Sequence, residues 1–262
     1  MNKETRRTIV AVAAVAVVIG VAYAGLLVYA GTSSPFYTVE SGSMSHTDGS
    51  RSQIGIIDTG DMVFARDPSK MSVTTYVDGH ETGYKRFGDY GDVVIYNRSS
   101  GLPVIHRAIV YAESNGDGTW SIPSLATYTG VWKINDVPGD PGNVDALSGK
   151  LSFEGFGYNG RSFDVNLDAL IQKSGYVTMG DANSMTDQGT TISKDALIGQ
   201  DSIVAVAAHE IPWLGAIKMY ITGNNAGEIP SNTLPSLIIA ILLIFSAIAA
   251  ICIVYERVLK KK

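Results

Sequence analysis

Hydrolysis of an amide or ester needs a nucleophile, a group that takes its proton, and a group that holds that base in place. Histidine is the side chain best suited to moving a proton near neutrality, and this chain has four: His46, His80, His106 and His209. His106 lies inside the apolar run PVIHRAIV (103–110), where a neutral imidazole must satisfy both ring nitrogens. His46 stands three residues after Ser43 in YTVESGSMSHTD (37–48), within reach of the same hydroxyl. His80 falls in a polar stretch and reads as solvated, and His209 falls near the return to a second apolar run. The segment TMGDANSMTDQG (178–189) places Asp181 and Asp187 six residues apart. Aspartates in such loops commonly bond their own backbone. The spacing and closing Glu of an EF-hand are missing, so no metal is expected. Ser43, His106 and the Asp181/Asp187 pair form a candidate serine–histidine–aspartate set, a constellation defined by geometry and not by chain order.

Composition narrows the alternatives. Among 262 residues there is one cysteine, Cys252, inside an apolar run. It excludes an intramolecular disulfide, a cysteine metal site and a thiol nucleophile in the polar part of the chain. The net charge is −5 and no basic stripe appears, which argues against nucleic acid as a partner. No repeat or low-complexity tract is visible, and no cofactor is implied.

The elements that must position these residues begin with two apolar runs, Ile9–Ala30 of 22 residues and Leu237–Tyr255 of 19. About 20 apolar residues span a bilayer as a helix. The first run exceeds the roughly 7–15 residues of a secretory h-region. It therefore reads as an uncleaved anchor, although Val28 and Ala30 would suit a cut after Ala30. Lys3, Arg6 and Arg7 precede the first run, and Arg257, Lys260, Lys261 and Lys262 follow the second. The positive-inside rule then places residues 1–8 and 256–262 in the cytoplasm of a two-pass protein of the cell membrane. Residues 31–236 lie outside and carry −10 once the +2 and +3 flanks are set apart. That charge reads as a solvated surface.

Residues 54–66, 91–98, 102–113, 174–181 and 200–211 are rich in Val, Ile and Tyr and are bounded by Gly, Asp and Asn, the signature of short strands. Little helix is expected between the two spans, apart from a short one over 163–173. Residues 114–162 read as an inserted subdomain with Trp120 and Trp132 as packing anchors, and 222–236 as a linker rich in turn formers. The fold class expected for 31–221 is mostly β.

Five ordered blocks carry a resemblance: SGSM at 41–44, Gly-Asp-x-Val-Phe at 60–64, VIHR at 104–107, Gly-Asp-x-Asn-x-x-x-Asp at 180–187, and IPWLG at 211–215. Together they resemble type I signal peptidase of the archaeal and endoplasmic-reticulum type, in which histidine replaces the lysine of most bacterial enzymes. The resemblance covers most of residues 36–220. It implies a signal-peptidase-like catalytic domain of coiled antiparallel sheets. It further implies Ser43 as nucleophile, His106 as general base, Asp187 as the carboxylate that orients it, and Asp181 in a supporting role. Ser41 falls where bacterial relatives place an oxyanion-hole hydroxyl. The substrates implied are signal-peptide-bearing preproteins cut after small residues at −1 and −3, with membrane lipid as a second partner and any secretion-machinery partner unspecified. The sequence departs from the family pattern in having Ser45 and His46 after Ser-Met with no proline, Ala182 in place of an asparagine, and a long stretch between His106 and Asp181.

On this reading Gly42 lets the backbone approach substrate closely, and Met44 meets either lipid and substrate or the core. The rival of a different class is a non-enzymatic, membrane-tethered β-domain that binds an extracytoplasmic partner.

Overall fold

A computed structural model describes residues 2–98 and 101–259, with side chains as far as Tyr255; Lys260, Lys261 and Lys262, with the side chain of Arg257, lie outside it. A long helix stands at each end of the chain, α1 (Lys3–Ala30) and α4 (Thr233–Leu259). Both are long and apolar enough to cross a membrane, and almost nothing in the rest of the chain covers their apolar stretches. Each begins before its apolar run. The Asn2 side chain accepts the Thr5 N–H and caps α1, while α4 starts at Thr233, inside the stretch expected to be linker.

Between them, among the described residues, lie β1 (Phe36–Thr38), β2 (Met62–Arg66), α2 (Tyr76–Thr82), β3 (Lys85–Arg86), β4 (Asp89–Tyr90), β5 (Val93–Asn97), β6 (Pro103–Ser114), β7 (Trp120–Ser121), β8 (Val131–Ile134), β9 (Val137–Pro138), β10 (Lys150–Phe156), β11 (Arg161–Asn166), β12 (Gly175–Met179), β13 (Ile203–Ile211) and α3 (Leu214–Thr222). The main sheet is antiparallel in the order β1-β2-β13-β5-β6-β12, with β7 added to β6. A second sheet runs β11-β10-β8-β9, and β3-β4 form a small hairpin. The domain between the terminal helices is therefore β-rich.

Strand β5 shows why the central strands read as unbroken apolar runs. Val93 and Ile95 enter one core with Met44, Ile57 and Val63, while Val94 and Tyr96 enter another with Val104, Ala108 and Tyr176. A strand covered on both faces has no polar side to display.

Three expectations are corrected here. The segment 163–173 is not a helix. Its first residues belong to β11, where Phe163 and Val165 are buried and Ser162, Asp164 and Asn166 are exposed, the period of two that a strand imposes. Only a 3-10 turn follows, at Leu167–Ala169. The insertion is also longer than 114–162, since its sheet continues through Asn166, and it is not a separate body. Ile109, Val177 and Met179 of the main sheet share one core with Trp120, Trp132 and Phe153 of the insertion. Finally, two helices lie between the terminal ones. His80 sits on α2, half-buried and bonded to Glu81 at 2.8 Å, and not in a solvated loop.

Two of the five motif blocks turn out to be a joint. The Trp213 N–H donates to Asp61 Oδ1 at 2.8 Å. A Cβ on Gly215 would collide with the Asp61 carbonyl, so glycine is required where α3 crosses the start of β2. Burial pushes the Asp61 carboxyl up to about 8, against the two backbone N–H groups that favour its charge. A second joint fixes α1 to the sheet. Gly31 ends the helix in the left-handed conformation. The Tyr29 ring stacks on Phe64 at 6.0 Å, Arg66 lies 4.4 Å over that ring, and the Asp67 N–H donates to the Ala30 carbonyl at 2.8 Å.

Candidate active site

The register of β12 on β6 decides where the aspartate loop begins. Met179 pairs with Arg107, so Gly180 and Asp181 leave the sheet beside His106 and Arg107. Those two neighbours on one strand point to opposite faces, and the loop supplies a carboxylate to each.

On the first face, His106 Nδ1 lies 2.9 and 2.8 Å from the two oxygens of Asp187, and His106 Nε2 lies 3.0 Å from Ser43 Oγ. Tyr96 and Thr178 hydroxyls donate to Asp187 Oδ2 at 2.5 and 2.7 Å. Held this way, Asp187 accepts from Nδ1–H, which leaves the Nε2 lone pair toward the Ser43 hydroxyl. Burial, reinforced by the charge of Asp187, pushes the Tyr96 phenol well above its ordinary value, so it remains a donor. Asp187 and His106 are buried at 0% and 3% exposure, while Ser43 is only partly covered.

Gly180 makes this approach possible. A Cβ there would stand 2.5 Å from the Ser43 carbonyl and 3.0 Å from His106 Nε2. The Ala182 N–H, two residues on, donates to that same carbonyl at 2.9 Å and ties the serine loop to the aspartate loop.

On the second face, Arg107 forms a two-pronged pair with Asp181, Nε to Oδ1 at 2.8 Å and Nη2 to Oδ2 at 2.6 Å. Its Nη1 donates to the carbonyls of Arg86, Tyr90 and Gly91. His46 Nε2 donates to Asp181 Oδ2 at 2.9 Å, and its ring stacks on Tyr158 at 3.9 Å. Burial by itself would raise the Asp181 pKa, but the charge and hydrogen bonds of Arg107, with those of His46, outweigh it and hold the carboxyl down at about 2. Asp181 therefore touches neither Ser43 nor His106 as a hydrogen-bond partner, and His46 is bonded to Asp181 and not to the Ser43 hydroxyl. The spacing left both options open, and long-range pairing settles them.

Ser41 Oγ lies 3.5 Å from Ser43 Oγ at the surface. Met44 packs in the core beside Ile57 and Val63 and also borders the groove that Ser43 opens into. A Cβ on Gly42 would meet nothing nearer than 3.7 Å, so the fold does not demand glycine there and the approach to Ser43 stays open.

Ser43 and His106 line a groove of about 830 Å³. One wall is β1, the edge strand of the main sheet, with Phe36 and Tyr37 in the lining. The other is the start of β6, where Val104 and Ile105 line the groove with Leu102 just before it. Pairing with β12 begins only at Arg107, so β6 has no β12 partner over Pro103–His106. Lys218 of α3, paired with Glu40 at 3.2 Å, stands at the rim.

Tyr96, Thr178 and Arg107 belong to the site although none was singled out from sequence. A signal was present for two of them. Tyr96 puts a polar-tipped side chain directly after the aliphatic run Val93–Ile95. Arg107 in an apolar strand implies a buried charge that needs a carboxylate. Tyr158 and Arg161 offered no signal, since nothing local links them to Ser43. No protein-family model matches this chain, and no curated protein matches it.

Proposed function

We propose that this protein is a membrane-anchored serine endopeptidase of the signal-peptidase type. The observation that carries the reading is the continuous chain Ser43 Oγ–His106 Nε2–Nδ1–Asp187, with links of 3.0 and 2.8 Å. His106 takes the Ser43 proton as the oxygen attacks the scissile carbonyl, then returns it to the leaving amine. Asp187 holds the tautomer and stabilises the imidazolium. The Ser41 hydroxyl and the Ser43 N–H stabilise the oxyanion, and water clears the acyl-enzyme. Asp181 supports the loop and takes no part in proton transfer.

The groove supports an extended peptide as substrate. It runs between an edge strand and a stretch of β6 without a β12 partner, and strand addition supplies main-chain hydrogen bonds while pockets select alternate side chains. The apolar terminal helices support a two-pass anchor that brings this groove to the bilayer surface, where a preprotein's signal segment emerges. Small residues at −1 and −3 follow from the family resemblance.

The test is cleavage of a model secretory precursor in liposomes by wild type, Ser43→Ala and His106→Ala. Cleavage after a small residue, lost in both variants, is the expected result. Cleavage that survives Ser43→Ala removes the nucleophile from this scheme. No cleavage by wild type favours the non-enzymatic β-domain, for which the serine and histidine substitutions are silent.

A further inference from the structure

The serine lies in an irregular segment of 23 residues, 39–61, between β1 and β2. A segment of that length without regular structure needs anchors to hold one side chain to a few tenths of an ångström. A hydroxyl that drifts from 3.0 Å to beyond 3.5 Å from its base is no longer hydrogen-bonded to it. The anchors on the second face come from the inserted sheet. Its β10–β11 turn is closed by Gly157 and Gly160, both at positive φ of 74° and 65°. The turn is seated by the Gly157 N–H on the Tyr76 hydroxyl at 3.0 Å and the Tyr158 N–H on Asp89 Oδ2 at 2.8 Å. From that seat two side chains reach across. Tyr158 stacks its ring on His46, three residues after Ser43, and directs its hydroxyl to the Ser45 carbonyl at 3.4 Å. Arg161 Nη1 donates to the main-chain carbonyl of Asp181, at the start of the loop that carries Asp187.

We infer that the turn Gly157–Arg161 of the inserted sheet is a positioning element of the catalytic site, with Tyr158 and Arg161 holding the Ser43 and Asp187 loops in register through His46 and Asp181. The inference rests on the serine-peptidase reading above. It assigns the insertion a task at the site although neither side chain touches Ser43 or His106. The stack and the Arg161 bond act on the two loops from outside the groove, so they set the Ser43–His106 distance and leave peptide binding alone.

The experiment is steady-state cleavage of a precursor peptide by the full-length protein in liposomes. Active sites are counted by covalent labelling of the serine with a phosphonate. The variants are Tyr158→Ala, Tyr158→Phe, Arg161→Gln and, as a control at the far edge of the same sheet, Val137→Ala. Tyr158→Ala and Arg161→Gln are expected to lower kcat per labelled site by about tenfold with KM within about twofold, because a misplacement of an ångström typically costs up to about a hundredfold. Tyr158→Phe, which keeps the ring, restores most of the loss, and Val137→Ala retains wild-type kcat. Wild-type kcat per labelled site in both Tyr158→Ala and Arg161→Gln overturns the positioning role and leaves the peptidase reading standing. A rise in KM with unchanged kcat also overturns it, since the turn would then act on binding. Wild type that neither cleaves nor labels removes the reading underneath, and the inference with it.

Discussion

Two histidine–aspartate pairs flank one strand of this protein, and they differ in what lies beyond the imidazole. His106 has Asp187 on one nitrogen and a partly exposed serine hydroxyl on the other. His46 gives one nitrogen to Asp181 and stacks its ring on Tyr158, while Asp181 is saturated by Arg107. The first arrangement leaves a lone pair facing a removable proton at the mouth of a groove. In the second, the carboxylate is taken up by Arg107 and the imidazole lies against the Tyr158 ring, with no hydroxyl bonded to it among the described residues. A His–Asp contact alone does not mark a proton relay; the group at the far nitrogen decides whether the pair moves a proton or holds two loops together.

The sharpest way to break this contrast is to exchange the carboxylates for amides. Asp187→Asn keeps the shape but presents an N–H to Nδ1, so the wrong tautomer faces Ser43, and kcat is expected to fall by about 10⁴ with the fold intact. Precursor cleavage and the circular dichroism of the same sample check both halves. Asp181→Asn should do the opposite. It leaves the fully buried Arg107 without its counter-charge, which typically destabilises by about 3–5 kcal/mol. The thermal midpoint should drop while cleavage per folded molecule falls far less. If the two variants behave alike, the division of labour is wrong.

Acid titration sharpens the comparison further. Asp181 is depressed from 3.8 to about 2, so the stability it contributes is full above about pH 4 and is lost as pH falls toward 2. The amount is on the order of 2 kcal/mol. Asp61, raised to about 8, works the other way: its contribution is full below about pH 4 and is lost as pH rises through 8. Below pH 4 Asp181 adds to the slope from the other depressed carboxylates, Asp48, Asp67, Asp117 and Glu81, and denaturant midpoints between pH 2 and 4 should lose part of that slope in Asp181→Asn. The smallest expected effect is Tyr96→Phe. It removes one of the two hydroxyl donors on Asp187 Oδ2, a bond to a charged group worth about 1.5–3 kcal/mol, and should lower kcat by roughly tenfold with a smaller change in midpoint. An unchanged kcat would mean that Thr178 and His106 suffice to hold the carboxylate.

Much of this was legible in the chain itself. The strands around His106 show because both their faces are apolar, and Ser43, His106 and Asp187 are brought together as the motif blocks led one to expect. The partners of His46 and Asp181 were not legible, because nothing local links residue 46 to residue 181 and both aspartates sit in the same polar loop. Three local signals were present and misread. Phe163 and Val165 alternate with polar residues in strand fashion, which the helix assignment over 163–173 overlooked. Thr75, followed three residues later by Asp78, is an N-cap pattern that opens α2, and its side chain does accept the Asp78 N–H. The limit of the insertion was placed by Gly, Asn and Pro content, which marks turns and not sheet membership. By contrast, α3 is preceded by Trp213 in the left-handed conformation without a side-chain cap, so no start signal exists to be read.

The joint between α1 and the sheet has a mechanical consequence. Twenty-eight residues of helix form a rod of about 42 Å. Its last turn is clamped to the main sheet by an aromatic stack, a cation over the ring and a main-chain bond. A change of tilt in the rod would carry the sheet, and the groove that holds Ser43 and His106, along with it, so the thickness of the medium around the helix would set the height at which that groove stands.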